Sequence, residues 1–173
     1  MTEVLDPQFE AMLKAAEPKP QHDWLRRLVG EWTYETEMVE QGSMSAEKCV
    51  GTEQVRPLGE IWVVADGEGS TPGGVVGASQ ITLGFDPQSG RFVGTFIGSL
   101  MTHLWVCDGE LDAAERVLTL QSTGPSFEVE GQLAQYRDVV EVHSDDYRTL
   151  TAYVLGQDGD WHQMMRSHYR RTA

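Results

Sequence analysis

"RLVGEWTYE", Arg27 to Glu35, is where the chain changes its period. Just before Gly30, Trp24, Leu25 and Leu28 recur at helical spacing, and a glycine commonly stands just past a helix end. After Gly30, the bulky set Trp32, Tyr34, Thr36 and Met38 alternates with Thr33, Glu35 and Glu37. That period of two predicts a half-buried strand over 32–39.

The same period recurs to the end of the chain. Further strands are expected over 47–55, 61–66, 75–85, 91–99, 103–111, 116–122, 134–143, 147–155 and 161–170. Turn chemistry separates them: Gln41-Gly42-Ser43, Pro57-Leu58-Gly59, Pro72-Gly73-Gly74, Asp86 to Gly90, Ser144-Asp145-Asp146 and Gly156 to Gly159. No long helix is expected after Gly30, and 123–133 reads as a loop. Upstream, Asp6 suits a helix cap and Pro7 the first helical position; Phe9, Met12, Leu13 and Ala16 then share a face until Pro18 and Pro20.

About ten strands on short links make an antiparallel meander, which leaves two edges exposed unless it closes. Closure into an up-and-down barrel removes the edges and can enclose one small ligand. The expected fold is therefore mainly β: a barrel over 21–173 behind an N-terminal helical extension over 1–20. A two-sheet sandwich is the alternative.

Composition narrows the function classes. The net charge of −14 over 173 residues repels phosphate backbones and anionic lipid heads, so nucleic acid and membrane are not expected partners. The acidic start, Met1 to Asp6, has no basic or apolar signal region, which makes the cytoplasm the default. Cys49 and Cys107 read as buried thiols, since they are far apart and no export signal is present.

An ordered set of short motifs resembles one bacterial family, the domain of unknown function 1579. These are His22-x-x-Leu25-x-x-Leu28-x-Gly30-x-Trp32, then Gly59 to Val63, then Leu83-Gly84-Phe85-Asp86 with Gly90 to Phe96, then Asp158-Gly159 with Met165 and Tyr169-Arg170-Arg171. The resemblance implies a calycin-like barrel, similar in shape to lipocalins and fatty-acid-binding proteins. In lipocalins a Gly-x-Trp opens the first strand and a basic residue of the last strand packs on the indole. Arg170 or Arg171 would take that part here, with a cation–π contact of ~0.5–2 kcal/mol.

Candidate chemistry is sparse. The aromatic residues Trp32, Tyr34, Trp62, Trp105, Tyr153 and Tyr169 all fall in expected strands, and those facing inward could bind an amphipathic molecule or fill a core. Glu53, Arg137 and Arg166 read as outward and solvated; Arg166, if it instead points inward, would suit a ligand carboxylate, and parity alone does not fix which face is inside. His22, His103, His143, His162 and His168 match no zinc spacing, although His162 and His168 share strand parity. The glycine signature around Trp32 is too short for haem binding, so no cofactor or metal is expected. His143-Ser144-Asp145-Asp146 reads as a turn, and Gly67-x-Gly69 as a hairpin tip rather than a phosphate loop.

The leading expectation is an uncharacterised barrel that binds a small apolar, amphipathic or carboxylate ligand and has no catalytic residues assigned. The alternatives are an isomerase, cyclase or decarboxylase using Tyr34, Tyr153, His103 or Glu53, and a packed structural barrel that homodimerises.

Overall fold

The computed structural model describes residues 6–40 and 43–173, and side chains outside 40–46. The expected turn at Gln41-Gly42 and the Met1 to Leu5 start lie outside the described residues. Two helices, α1 (Pro7–Ala15) and α2 (Pro20–Arg26), precede ten strands. These are β1 (Gly30–Glu40), β2 (Ser43–Leu58), β3 (Trp62–Ser70), β4 (Val76–Asp86) and β5 (Arg91–Gly98), followed by β6 (Trp105–Leu111), β7 (Val117–Pro125), β8 (Leu133–Ser144), β9 (Tyr147–Leu155) and β10 (Trp161–Arg171). Every strand pairs antiparallel with its neighbours in sequence, and β10 returns to β1 from Trp32↔Arg171 to Met38↔Met165. The result is a closed up-and-down barrel, which removes the edges a meander would expose.

Strand parity separates the two faces of the wall. On β2, Cys49, Glu53 and Val55 are buried while Lys48, Val50, Thr52, Gln54 and Arg56 are exposed. Carried across the ladders, that register sends Trp32, Tyr34 and Thr36 of β1 inward, as it does Arg148, Leu150 and Ala152 of β9. The helices behave differently from each other. Helix α2 buries His22, Trp24 and Leu25 under one end of the barrel. The His22 imidazole accepts from the Lys19 amide and bonds the Phe85 carbonyl, tying the helix start to β4. Helix α1 is capped by Asp6 as expected, but it buries none of its residues, and Phe9, Met12 and Leu13 lie on its exposed surface.

Three local expectations need correction. Gly67 and Gly69 lie inside β3, paired with Ser79 and Gly77, so the hairpin tip falls later, at 71–75. Residues Thr123 to Pro125 continue β7 instead of entering a loop. A β-bulge between Gln163 and Met165 breaks the parity of β10. It leaves His162 at the rim beside Asp158, while His168 points outward and stacks on Tyr147.

Candidate functional site

The closed end of the barrel is a dry floor. Trp32, Val55, Val63, Leu83, Phe92, Leu118 and Val142 are all nearly or fully buried, packed beneath Trp24, Leu25 and Leu28. The Trp32 indole N–H donates to the Leu28 carbonyl at 2.9 Å, so its one polar atom is satisfied. The Arg171 guanidinium lies 4.2 Å from the centre of that ring. It also donates to the carbonyls of Arg27, Val29 and Asp145, binding the last strand to the segment before the first. Gly30 makes this possible. Its φ of 139° suits glycine, and a Cβ there would fall 2.2 Å from the Arg171 guanidinium.

Above the floor sits a polar layer that sequence patterning did not anticipate. Arg148 points inward from β9 and donates to the Glu53 carboxylate, with both side chains only 6% exposed. Its guanidinium lies over Trp32 at 4.7 Å and over Tyr169 at 4.1 Å. Glu53 is therefore not solvated; it is one half of a buried ion pair. Tyr34 and Tyr169 pack beside this pair, their ring centres 5.2 Å apart. The Tyr34 ring is pressed flat against β2 and β3, since a Cβ on Gly51 or Gly69 would fall 2.4 Å or 2.1 Å from its hydroxyl. Thr36 and Ser167 bond each other at 2.6 Å.

Higher still, the lining becomes small. Gly51, Gly67, Gly69, Ser79, Gly98, Ser122, Ala134 and Ala152 face inward. Eight strands already enclose an interior that side chains just fill, so ten strands lined by such residues leave space. Burial agrees. Tyr34, Ile81, Phe96, Cys107, Ser122, Asp138, Ala152 and Met165 face inward yet remain partly accessible to solvent. At the mouth, Trp105 packs edge-on against Tyr136 at 4.9 Å and stacks with Phe127 at 6.5 Å. Trp105 and Phe127 border a rim cleft of ≈ 490 Å³ that also includes Leu100, Met101 and Pro125.

Of the seven residues singled out by sequence, Trp32, Tyr34, Trp105 and Tyr169 face the lumen. Trp62, Tyr153 and Arg166 face outward. Trp62 lies across the outer side of Gly84, and Arg166 opposes Glu37 and Thr151. Arg166 is therefore no partner for a carboxylate inside the barrel. Arg137 is outward too, stacked on Trp161 at 4.0 Å, and its Nε is buried rather than solvated. Among the candidate acid–base residues, Tyr34 and Glu53 face the lumen, Tyr153 faces out, and His103 sits at the rim against Trp105.

Asp138 and Arg148 were missed. Each shares parity with apolar neighbours, Asp138 with Tyr136, Val140 and Val142, and Arg148 with Leu150, Ala152 and Val154. A charge within an apolar parity set was the available signal. Burial pushes the Asp138 carboxyl up to about 6. Burial, then the Asp138 and Asp108 charges, push the Cys107 thiol up to about 11. Burial and then Glu53 also raise the Tyr34 and Tyr169 hydroxyls. Near neutral pH the lumen thus holds a protonated thiol and neutral phenols, and the Asp138 carboxyl titrates just below neutrality. No group of three or more His, Cys, Asp or Glu among the described residues could hold a metal ion.

The raised Asp138 value makes a stability prediction. The folded state keeps the Asp138 proton to about pH 6, whereas the unfolded chain loses it near 3.8, so folding stability falls as pH rises between those values. Asp138→Asn should therefore stabilise the protein by ~2–3 kcal/mol near neutral pH, with the gain disappearing in acid below the lower value. Urea unfolding at several pH values checks this, and a pH-independent difference would refute it.

Together these features define a closed ten-stranded barrel with an apolar floor, a polar middle and an upper half whose inward face is lined by small residues. The chain belongs to the family described as protein of unknown function (DUF1579), whose sequence profile matches residues 17–171. Among solved structures it is similar to an S-type phycobiliprotein lyase from Guillardia theta, at 14% identity over 96% of this chain and 99% of that one, with a TM-score of 0.54. A de novo designed fluorescence-activating β-barrel is also similar, at 11% identity over 85% of this chain and 95% of that one, with a TM-score of 0.48. No curated protein matches the sequence.

Proposed function

We propose that the protein binds one small amphipathic molecule in the barrel lumen. The molecule's flat or apolar body would lie among Phe96, Trp105, Tyr136 and Met165, and its polar head would reach Tyr34 and Asp138. One observation carries this reading: the inward face of the upper half is lined by small and half-buried residues, above an ion pair that closes the floor. An apolar pocket with a few convergent polar groups is the usual form of a small-molecule site. The solvatochromic dye Nile red should bind with a blue-shifted emission, and native mass spectrometry with organic extraction should detect any molecule that co-purifies. An absence of both would count against a binding lumen.

The wall geometry adds a second check. Gly69→Ala places a methyl where the Tyr34 hydroxyl now sits, so the ring must swing into the lumen. Nile red affinity should fall by roughly fivefold or more, equivalent to ~1 kcal/mol. Adding Tyr34→Ala should restore it. An unchanged affinity in Gly69→Ala would place the dye elsewhere.

A catalytic reading draws on Asp138 alone. A carboxyl poised near about 6 in a lumen reached by water can act as acid or base. It requires turnover of a bound molecule that Asp138→Asn abolishes while binding persists.

A further inference from the structure

We infer that the lumen selects a ligand whose head is cationic or rich in N–H donors, and that Asp138 is the anchor for that head. This rests on the binding reading above and adds the ligand's chemistry. Among the described residues, the charges of the lumen cancel except at one place. Arg148 is paired with Glu53 and covered by the Trp32 and Tyr169 rings, and its Nε is sealed from solvent. Arg171 lies below Trp32 and is engaged by three carbonyls. The Thr36 and Ser167 hydroxyls satisfy each other. Asp138, by contrast, has no hydrogen bond or ion pair among the described residues, although it faces inward between Leu120 of β7 and Ala152 of β9. Asp138 is half-buried as a residue, and neither carboxylate oxygen is among the partnerless side-chain atoms sealed from solvent.

The groups facing Asp138 supply no countercharge. Cys107 comes from β6, Tyr136 from its own strand, Tyr34 from β1, Cys49 and Glu53 from β2, and Tyr169 from β10. The cation on that side, Arg148 of β9, is already matched by Glu53. The Tyr136 hydroxyl donates to the Pro125 carbonyl at 2.6 Å, so it too is engaged. A carboxylate ligand would meet an unpaired acid and no free cation inside. A protonated amine, an amidine or an N–H-bearing ring would give Asp138 the charge-assisted bond it lacks. Such a ligand favours the ionised carboxylate and so binds more tightly as pH rises through the titration of Asp138.

Three dyes test this at ~0.15 M salt, where attraction to the acidic outer surface is screened. They are the cation thioflavin T, the anion anilinonaphthalene sulfonate and neutral Nile red. In the wild-type protein thioflavin T should bind more tightly than the anion, and its affinity should rise about tenfold from pH ~5 to pH ~7.5. Asp138→Asn should abolish both the preference and the pH dependence, and a cooperative urea unfolding transition reports that the variant folds. In the wild-type protein near pH 6, calorimetry in two buffers of different ionisation heat should show proton release on thioflavin T binding. Nile red binding without a cation preference, or a preference surviving in Asp138→Asn, or no proton release, would overturn the inference and leave the binding lumen standing. Failure of the wild-type protein to bind Nile red would instead remove the binding reading itself.

Discussion

Arg148→Met should lower the unfolding free energy by ~3–5 kcal/mol, because it leaves the Glu53 carboxylate buried at the centre of the barrel with no partner. An exposed ion pair contributes only ~0–1 kcal/mol, so the size of the loss distinguishes a buried pair from a surface one. The double change Glu53→Leu with Arg148→Met should recover most of the loss, since apolar residues of similar volume replace both charges at once. Urea denaturation of the wild type, both single variants and the double variant forms a complete cycle. Losses that simply add would mean that Glu53 and Arg148 do not act as a pair, and the polar layer above the floor would need another explanation.

Trp32→Ala should cost a similar ~3–5 kcal/mol, for a different reason. The indole is 2% exposed, fills the floor under α2, and supports the guanidinium groups of Arg148 and Arg171. Its removal leaves a large void and also loosens the contact that joins β10 to the start of β1. Trp62→Ala is the natural comparison, because that ring lies on the outer wall over Gly84 and remains partly exposed. It should cost roughly 1 kcal/mol, in proportion to the smaller area it buries. Equal losses in the two variants, read by thermal or urea unfolding, would contradict the inward and outward assignments.

Much of the fold was legible because alternation is a local property. The strand over 147–155 has the expected bounds, and most other strands differ from expectation by a few residues at their ends. Barrel closure followed from the need to hide two edges. Gly30-x-Trp32 reads as the opening of the first strand with Arg170 or Arg171 on the indole; Arg171 takes that place, while Arg170 lies over Tyr147 on the outside. The site was less legible. On β9, Tyr147, Thr149, Thr151 and Tyr153 look like a conventional β face, yet they point outward, and Arg148 with Leu150 and Ala152 points in. Alternation shows that two faces exist without saying which one the barrel encloses. On β10 the bulge at Gln163/Met165 makes even that alternation unreliable, as the opposite placements of His162 and His168 show.

The amino-acid sequence by itself determined the period of each strand, the position of the turns, the helix that buries Trp24 and Leu25, and hence a mainly β, closed architecture. These depend on residues a few positions apart, where sterics and hydrophobic alternation act directly. Only the tertiary structure decided which parity faces the lumen, that Glu53 and Arg148 meet across 95 residues of chain, and that Asp138 has no partner among the described residues. Those facts depend on the register of closure, where Met38↔Met165 and Trp32↔Arg171 join the two ends of the sheet. A shift of one residue there would turn every side chain of a strand to the other face, so the chemistry of the lumen is a property of the closed ring rather than of any one strand.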